Sequence, residues 1–187
     1  TAVENKDTDL EQQIIRGDRV INDMERSIES QCLSLITRQQ PIAGDLRMIS
    51  AALKVVTDIE RIGDQTADIA ELMLRLRDCD LDAYSRHITG MLQVAKEIVH
   101  DAVGAFVNRD SRAADEVIRH DDVVDELFAK VKDDLVHMLQ EGVDNIEACV
   151  DVLMIAKYLE RIGDHAVNIA EWEIFQESGA IQHIRLM

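Results

Sequence analysis

The chain has 187 residues, of which 37 are Asp or Glu and 20 are Lys or Arg, so its formal net charge at pH 7 is −17. Hydrophobic residues make up 47% of the sequence, whereas aromatic residues make up 3% and there is one proline. This composition is typical of a folded protein with a real core, and it disfavours a sheet fold of many short strands. The acidic balance also disfavours nucleic acid as a ligand, because binding to phosphate backbones needs clustered Lys and Arg.

Apolar residues recur with helical spacing along nearly the whole chain. The pattern predicts helices over residues 8–38, 41–77, 81–108, 111–140 and 145–176. Pro41 is expected at a helix start, Asp110 as an N-cap and Gly142 as a helix stop. Long helices joined by short loops favour antiparallel neighbours, so the predicted fold class is all-α, built from helical bundles.

The sequence repeats itself. Residues 60–71 return as residues 160–171 with eight of twelve positions identical, and residues 14–22 match residues 117–125. Two copies of one structural unit are therefore predicted.

The predicted boundary between the two units gives a first repeat of residues 1–78 and a second of residues 79–187. In the second unit a whole helix precedes the joint at Asp110, whereas only six residues precede the matching joint at Asp7. We therefore expect each complete unit to have three helices, with the first helix of the first unit missing through truncation or disorder.

Cysteine and targeting signals agree with an intracellular protein. Cys32, Cys79 and Cys149 lie far apart and form no C-x-x-C pair, so neither a disulfide framework nor a thiolate metal site is predicted. No signal peptide is visible, and no apolar run approaches the roughly 20 residues that a membrane span requires. We therefore expect a cytoplasmic location.

Each repeated block carries a row of polar side chains, mostly acidic, on one helix face. At 100° per residue, positions i, i+4, i+8 and i+11 fall within an arc of about 80°. The rows are Glu60, Asp64, Asp68 and Glu71 in the first unit, and Glu160, Asp164, Asn168 and Glu171 in the second. Like charges one turn apart destabilise a helix by about 0.2–0.5 kcal/mol per pair, so a row that occurs twice favours a compensating cation.

A second pair of polar residues accompanies each row. Asp121 and Asp125 are one turn apart beside an apolar stripe and are expected to lean toward the helix that carries Glu160, and Asp18 and Asn22 occupy the same places in the first unit. Gly63 and Gly163 lie between the apolar and acidic faces, where a missing side chain would let another helix approach closely.

Clustered carboxylates without cysteine form a hard, all-oxygen ligand set. Such ligands suit Mg²⁺, Mn²⁺, Ca²⁺ or ferric iron better than Zn²⁺ or Cu²⁺. The carboxylates outnumber what one divalent ion needs, which favours a multinuclear cluster. The alternative interpretation is that these residues are the solvated face of an amphipathic helix.

Signatures of catalysis are missing from the sequence: it contains no G-x-S-x-G, H-E-x-x-H or P-loop motif. No general base distinct from the candidate metal ligands can be recognised. We therefore predict a protein without catalytic residues. A metal-dependent hydrolase or oxidase that uses the same carboxylates remains the alternative.

The duplicated Glu-Arg-Ile-Gly-Asp blocks, each followed by Ile-Ala-Glu, resemble the signature of the PhoU family, and residues 41–47 resemble the lead-in to that motif helix. The resemblance implies two tandem three-helix bundles with pseudo-twofold symmetry, and metal ions held by Glu/Asp-x-x-x-Asp motifs on the bundle surface. Carried over by position, the metal ligands are Glu60, Asp64, Asp68, Glu160, Asp164, Asn168, Asp18, Asn22, Asp121 and Asp125. Iron or manganese is expected first, with magnesium or zinc as alternatives.

The resemblance also implies a regulatory function. Members of the family are accessory proteins of the phosphate-specific ABC transporter and negative regulators of the phosphate-starvation response. The implied partners are the transporter's ATPase subunit and a membrane sensor histidine kinase, with homodimerisation as a further alternative. The protein would then reach the membrane only through its partners. An accessory role for a different type of transporter is also left open.

Overall fold

The structure is a computed structural model that describes residues 8–179, and this part of the chain is all-helical. The helices are α1 (Thr8–Gln39), α2 (Gly44–Arg75), α3 (Leu81–Tyr84), α4 (Ile88–Asn108), α5 (Ser111–Glu141) and α6 (Ile146–Ser178). The predicted all-α fold class is confirmed. No helix within residues 8–179 is long and apolar enough to cross a bilayer.

The joint between α1 and α2 differs from the prediction. Pro41 does not start a helix, because α2 begins three residues later at Gly44. Gln40 and Ala43 on either side of this segment have φ angles of 47° and 48°. Backbone in the left-handed region cannot continue a right-handed helix, so the chain turns here.

The predicted helix over residues 81–108 is interrupted, which corrects the sequence interpretation. The short helix α3 ends at Tyr84, and α4 begins at Ile88. The buried Ser85 lies in the turn between them, where its hydroxyl donates to Asp134 at 2.8 Å and accepts from the backbone N–H of His87 at 3.1 Å. These two hydrogen bonds hold the turn against α5.

The predicted N-cap at Asp110 and the predicted helix stop at Gly142 are confirmed. Asp110 caps α5 by accepting from the backbone N–H of Ala113 at 3.0 Å, and Asn145 caps α6 by accepting from Ala148 at 3.1 Å. Gly142, with a φ of 88°, ends α5 in a left-handed conformation that favours glycine.

Helix α6 lies at the centre of the packing. It contacts α5 and α4 in a three-helix bundle and contacts α2 along its length, while α1 packs on α2. One buried cluster surrounds Met91, Val131 and Val152, and a second surrounds Ile98 and Ile169. The position of the second unit's three helices therefore agrees with the predicted bundle, and the boundary near residue 78 stays a prediction.

Helices α2 and α6 form an antiparallel pair across the two repeats. Asn168 Nδ2 donates to Asp58 Oδ1 at 3.1 Å, Asp68 hydrogen bonds to Tyr158, and Arg75 donates to Asp151 at 2.8 Å. The two residue numbers have the same sum, 226, in all three contacts, as is expected when two antiparallel helices keep one register along their contact. The first two contacts exchange under the repeat offset of 100 residues, which is the signature of a pseudo-twofold relation between the units.

The first unit is less covered than the second. Ile28 of α1 is 40% exposed, whereas Val131, which matches it in the repeat, is fully buried under α4. Among the described residues, no helix covers Ile28 in the way that α4 covers Val131. The predicted joint at Asp7 lies outside the described residues, and the expectation that a first helix is missing stays a prediction.

Glu173 is a fully buried carboxyl near the end of α6. Its Oε2 accepts from Gln176 at 2.7 Å, but its Oε1 has no hydrogen-bond partner. Burial above all, and then the charge of Glu177, raise the pKa of Glu173 to about 7, although Arg109 opposes this shift. Glu173 therefore makes its full contribution to the free energy of unfolding below about pH 4.5, and this contribution is lost as the pH rises through about 7.

We expect Glu173→Gln to raise the free energy of unfolding at pH 8 by about 1–2 kcal/mol and to leave it nearly unchanged at pH 4.5. The amide keeps the shape of the side chain but has no charge to bury. Urea denaturation at both pH values measures the effect, with Glu97→Gln on the exposed face of α4 as the control. Equal pH dependence in Glu173→Gln and the wild type would contradict the assignment.

Candidate metal centre

The second repeat brings four carboxylates together where α5 packs on α6. We call Asp121 and Asp125 of α5 with Glu160 and Asp164 of α6 the second acidic site. Burial and the charges of the other three members act together on Asp121, which places all four within electrostatic reach of one another. Asp121 does lie against the helix that carries Glu160, as predicted, whereas the same prediction for the exposed Asp125 stays a prediction.

Gly163 makes this approach possible. A Cβ atom on Gly163 would lie 2.7 Å from Asp121 Oδ1, closer than real Cβ atoms approach, and 3.4 Å from Val124 Cγ1, in van der Waals contact. Because Gly163 has no side chain, the carboxyl of Asp121 can lie directly against the backbone of α6, and Val124 can be completely buried beside it. Glycine in a helix interior destabilises the helix by about 1 kcal/mol relative to alanine, and at this position that cost accompanies the close packing of α5 on α6.

The carboxylates of this site repel one another. Burial first, and then Asp125, Asp164 and Glu160, raise the pKa of Asp121 to about 7. Burial and Glu160 also raise the pKa of Asp164, against the opposing effect of Lys157. A cation placed among these groups would remove the repulsion.

Lys157 supplies part of the compensating charge. Its Nζ donates to Glu160 Oε2 at 2.5 Å and lies 5.5 Å from the centre of the Phe128 ring. Its side chain is still 45% exposed, so it holds the edge of the site and does not fill it.

The first repeat builds a similar group from α1 and α2. We call Asp18 and Asn22 of α1 with Glu60 and Asp64 of α2 the first acidic site. Asn22 Nδ2 donates to Asp18 Oδ2 at 3.0 Å. Burial first, and then the nearby charge of Asp18, raise the pKa of Asp64, although Arg61 opposes the shift.

Two oxygens in the first acidic site are orphaned. Asp18 Oδ1 and Asn22 Oδ1 are buried and have no hydrogen-bond partner. Burial and then Asp64 also raise the pKa of Glu60, while Arg61 opposes the shift from 3.6 Å. Buried oxygens without donors are costly unless a donor or cation satisfies them.

Gly63, the glycine of the first repeat, makes room for a different kind of side chain. A Cβ on Gly63 would lie 2.9 Å from the Cδ1 atom of Ile21, so here the space admits an apolar side chain instead of a carboxyl. The two acidic sites are therefore related but not equivalent.

Asp68 and Asn168 are not drawn into the acidic sites. Asp68 contacts Tyr158 and Asn168 contacts Asp58, so both lie at the contact between α2 and α6. His165 is also engaged there, with its Nδ1 2.8 Å from Asp58 Oδ1. The role of Asp68 and Asn168 as metal ligands stays a prediction.

Sequence reasoning overlooked Asp58 and Lys157. Asp58 could not be found by comparing the repeats, because the matching residue in the second repeat is Tyr158 and not a carboxylate. Lys157 precedes Glu160 by three residues, a spacing that does predict a contact on a helix face and could have found it.

The donor chemistry of both sites fits a hard metal ion. Carboxylate and amide oxygens are the ligands that Mg²⁺ and Mn²⁺ prefer, and the orphaned oxygens of Asp18 and Asn22 are available to a cation. Within residues 8–179, however, no three His, Cys, Asp or Glu side chains are grouped closely enough to hold a metal ion as they stand. Binding would therefore require the carboxyls to rotate toward a common centre.

These features define a class of protein: an all-helical chain of two related units, each with an acidic site where two of its helices meet. A family model described as the PhoU domain matches residues 1–73 and 88–172. The chain therefore belongs to the PhoU family, and the resemblance noted from its repeated motifs is confirmed.

Relatives support this assignment along the length of the chain. A phosphate-specific transport system accessory protein PhoU homolog from Aquifex aeolicus is 38% identical over 98% of this chain and 85% of its own length. A homolog of the same description from Clostridium acetobutylicum is 36% identical over 95% of this chain and 82% of its own length.

Solved structures share the fold. PhoU from Pseudomonas aeruginosa is similar with a TM-score of 0.87 at 34% identity, covering 96% of this chain and 86% of that chain. The phosphate transport system regulatory protein PhoU from Streptococcus pneumoniae is similar with a TM-score of 0.89 at 25% identity, covering 98% and 86%.

We expect Gly163→Ala to lower the free energy of unfolding by about 1 kcal/mol, because the new Cβ must displace the carboxyl of Asp121 from its place against α6. Chemical denaturation measures the change. Gly104→Ala in α4 is the matched control: nothing lies within 4 Å of its added Cβ, so it should stabilise the protein by about 0.5–1 kcal/mol. The same sign of change at both glycines would refute the close-approach argument.

Proposed function

We propose that this protein is an accessory and regulatory protein of a phosphate-specific transport system, and that it works by binding partner proteins and not by catalysing a reaction. The observation that carries the proposal is the duplicated acidic helix pair on a PhoU fold. Similar proteins are described as an accessory protein of a phosphate-specific transport system and as a phosphate transport system regulatory protein, which supports a role of this kind.

The second acidic site is proposed to hold a metal ion, with iron or manganese preferred and magnesium or zinc as alternatives. Asp121 and Asp125 would bind from α5, and Glu160 and Asp164 would bind from α6. The ion would supply positive charge that relieves the repulsion among these carboxyls. Because its ligands come from two helices, binding would also tie α5 to α6.

The first acidic site is proposed as a weaker metal site. Asp18, Asn22, Glu60 and Asp64 contribute three carboxyls where the second site contributes four. Arg61 lies 3.5 Å from Asp64 and already neutralises part of this charge. Asp68 and Asn168, at the contact between the repeats, would join only after leaving Tyr158 and Asp58.

Metal binding would couple the acidic surface to partner binding. With the metal bound, each site becomes less negative. The surface presented to a partner would then change although the helices do not move. We propose a cytoplasmic adaptor that contacts the transporter's ATPase subunit and a sensor histidine kinase, and that restrains the phosphate-starvation response. Homodimerisation would double the number of these sites.

We expect Mn²⁺ to raise the Tm of the wild type at pH 8, and Asp121→Asn to abolish that rise. In metal-free buffer at pH 8 the same variant should melt about 2–4 °C higher than the wild type, since it removes a carboxyl whose charged form is disfavoured by burial. Scanning calorimetry with and without Mn²⁺ measures both effects.

The control for this experiment is Asp115→Asn, which removes one exposed charge from α5 away from the site. It should keep the rise in Tm caused by Mn²⁺. If Asp121→Asn and Asp115→Asn respond alike, the carboxyls of the second acidic site do not bind metal.

We expect the ATPase subunit of the phosphate transporter to co-purify with the wild type and to be lost, at least tenfold, with the double variant Asp121→Asn/Asp164→Asn. Quantitative pull-down with and without a chelator tests this metal dependence, again with Asp115→Asn as the control. Turnover of a phosphate ester that disappears in Asp164→Ala, while the partner still binds, would instead favour the metal-dependent hydrolase.

A further inference from the structure

A groove of about 630 Å³ runs between α4 and α5. We call it the α4–α5 groove. None of its lining residues belongs to either acidic site, although His120 on its α5 wall is next to Asp121 in the chain. Its volume is in the range of sites that bind ligands or partner side chains.

The floor of the groove is apolar. Ile98, Ala105 and Val117 lie beneath it as almost completely buried members of the core cluster, and the partly exposed Ala113 supplies accessible apolar surface. Gly104 also lines it, in the interior of α4, where no atom lies within 4 Å of the place of an added Cβ. The absence of a side chain there leaves the floor open to a group from outside.

The rim of the groove is acidic. Asp101, Asp110 and Glu116 line it, and no Lys or Arg does. The side chains of Asp101 and Glu116 are 60% and 66% exposed. The nearest contact that Glu116 makes with a cation is a loose one, 3.9 Å from the guanidinium of the exposed Arg112, which contributes little in water.

We infer that the α4–α5 groove binds an Arg or Lys side chain from a basic segment of a partner protein. Such side chains have an apolar stem and a cationic head, and they lie along apolar surface while the head reaches polar groups. The groove offers the two surfaces in that order, with an apolar floor and carboxylates at the rim. The net charge of −17 adds long-range attraction for a basic segment.

A bare metal ion fits the groove less well. His100 and His120 line it together with the carboxylates, yet within residues 8–179 no three such side chains are grouped to hold a metal. His100 lies 3.3 Å from Asp101 and is 86% exposed, so it extends toward solvent. A small ion would also leave the apolar floor uncovered.

The inference does not depend on the proposed function, because the metal sites and the groove share no residue. The test uses the full chain and the hexapeptide acetyl-Ala-Arg-Ala-Ala-Arg-Ala-amide, with the citrulline version as the uncharged control. Amide chemical shifts in a ¹⁵N-labelled sample report the binding position. We expect saturable shifts on α4 and α5 at residues that line the groove, and at least tenfold weaker binding of the citrulline peptide.

Two variants test the groove itself. Gly104→Leu should fill the floor and weaken arginine-peptide binding at least tenfold, and its melting temperature checks that the fold is kept. Asp101→Asn/Glu116→Gln should weaken binding by a similar factor without adding volume. The matched control, Glu97→Gln/Asp115→Asn, removes the same two charges from the same two helices outside the groove and should bind as the wild type does.

Other outcomes overturn the inference. Equal loss of binding in the matched control would mean that general charge attraction, and not the groove, holds the peptide. Shifts spread over α1 and α2, or none that saturate, would exclude the groove as the site. Spermidine that binds the same residues as tightly as the arginine peptide would identify the ligand as a free polyamine and not a partner protein.

Discussion

The close approach of α5 to α6 at Gly163 is the contact on which the candidate metal centre depends. A Cβ at this position would lie 2.7 Å from Asp121 Oδ1, so the carboxyl of Asp121 would have to leave its place against α6. With glycine there, the carboxyl of Asp121 is held beside Glu160 and Asp164 and is partly removed from water. An acidic row that would otherwise be an ordinary wet helix face thereby becomes a site with shared electrostatics.

This arrangement costs stability in the absence of a ligand. Burial and neighbouring carboxylates both oppose ionisation of Asp121, and Asp18 and Asn22 each leave a buried oxygen without a donor. Such local costs persist where a binding partner compensates for them. These costs are the physical basis of the proposal that both sites bind a cation.

The two repeats have diverged around a common frame. The pair of α2 and α6 retains exchange symmetry, since Asp68 with Tyr158 and Asn168 with Asp58 occupy matching positions. The sites beside this pair differ, because Gly63 accepts Ile21 whereas Gly163 accepts Asp121.

Much of this protein was determined by local sequence pattern. The helical periodicity, the cap at Asp110, the stop at Gly142, the repeat and the acidic pairs of residues one turn apart all depend on neighbours along the chain, so they can be recognised without knowing the fold. Tertiary structure alone decided the rest: the break at Ser85, which depends on Asp134 of α5; the engagement of Asp68 and Asn168 at the repeat contact; and the burial that distinguishes Asp121 from the exposed Asp125. The physical reason is that desolvation and contacts between helices depend on which faces meet, and a periodic pattern does not specify that choice.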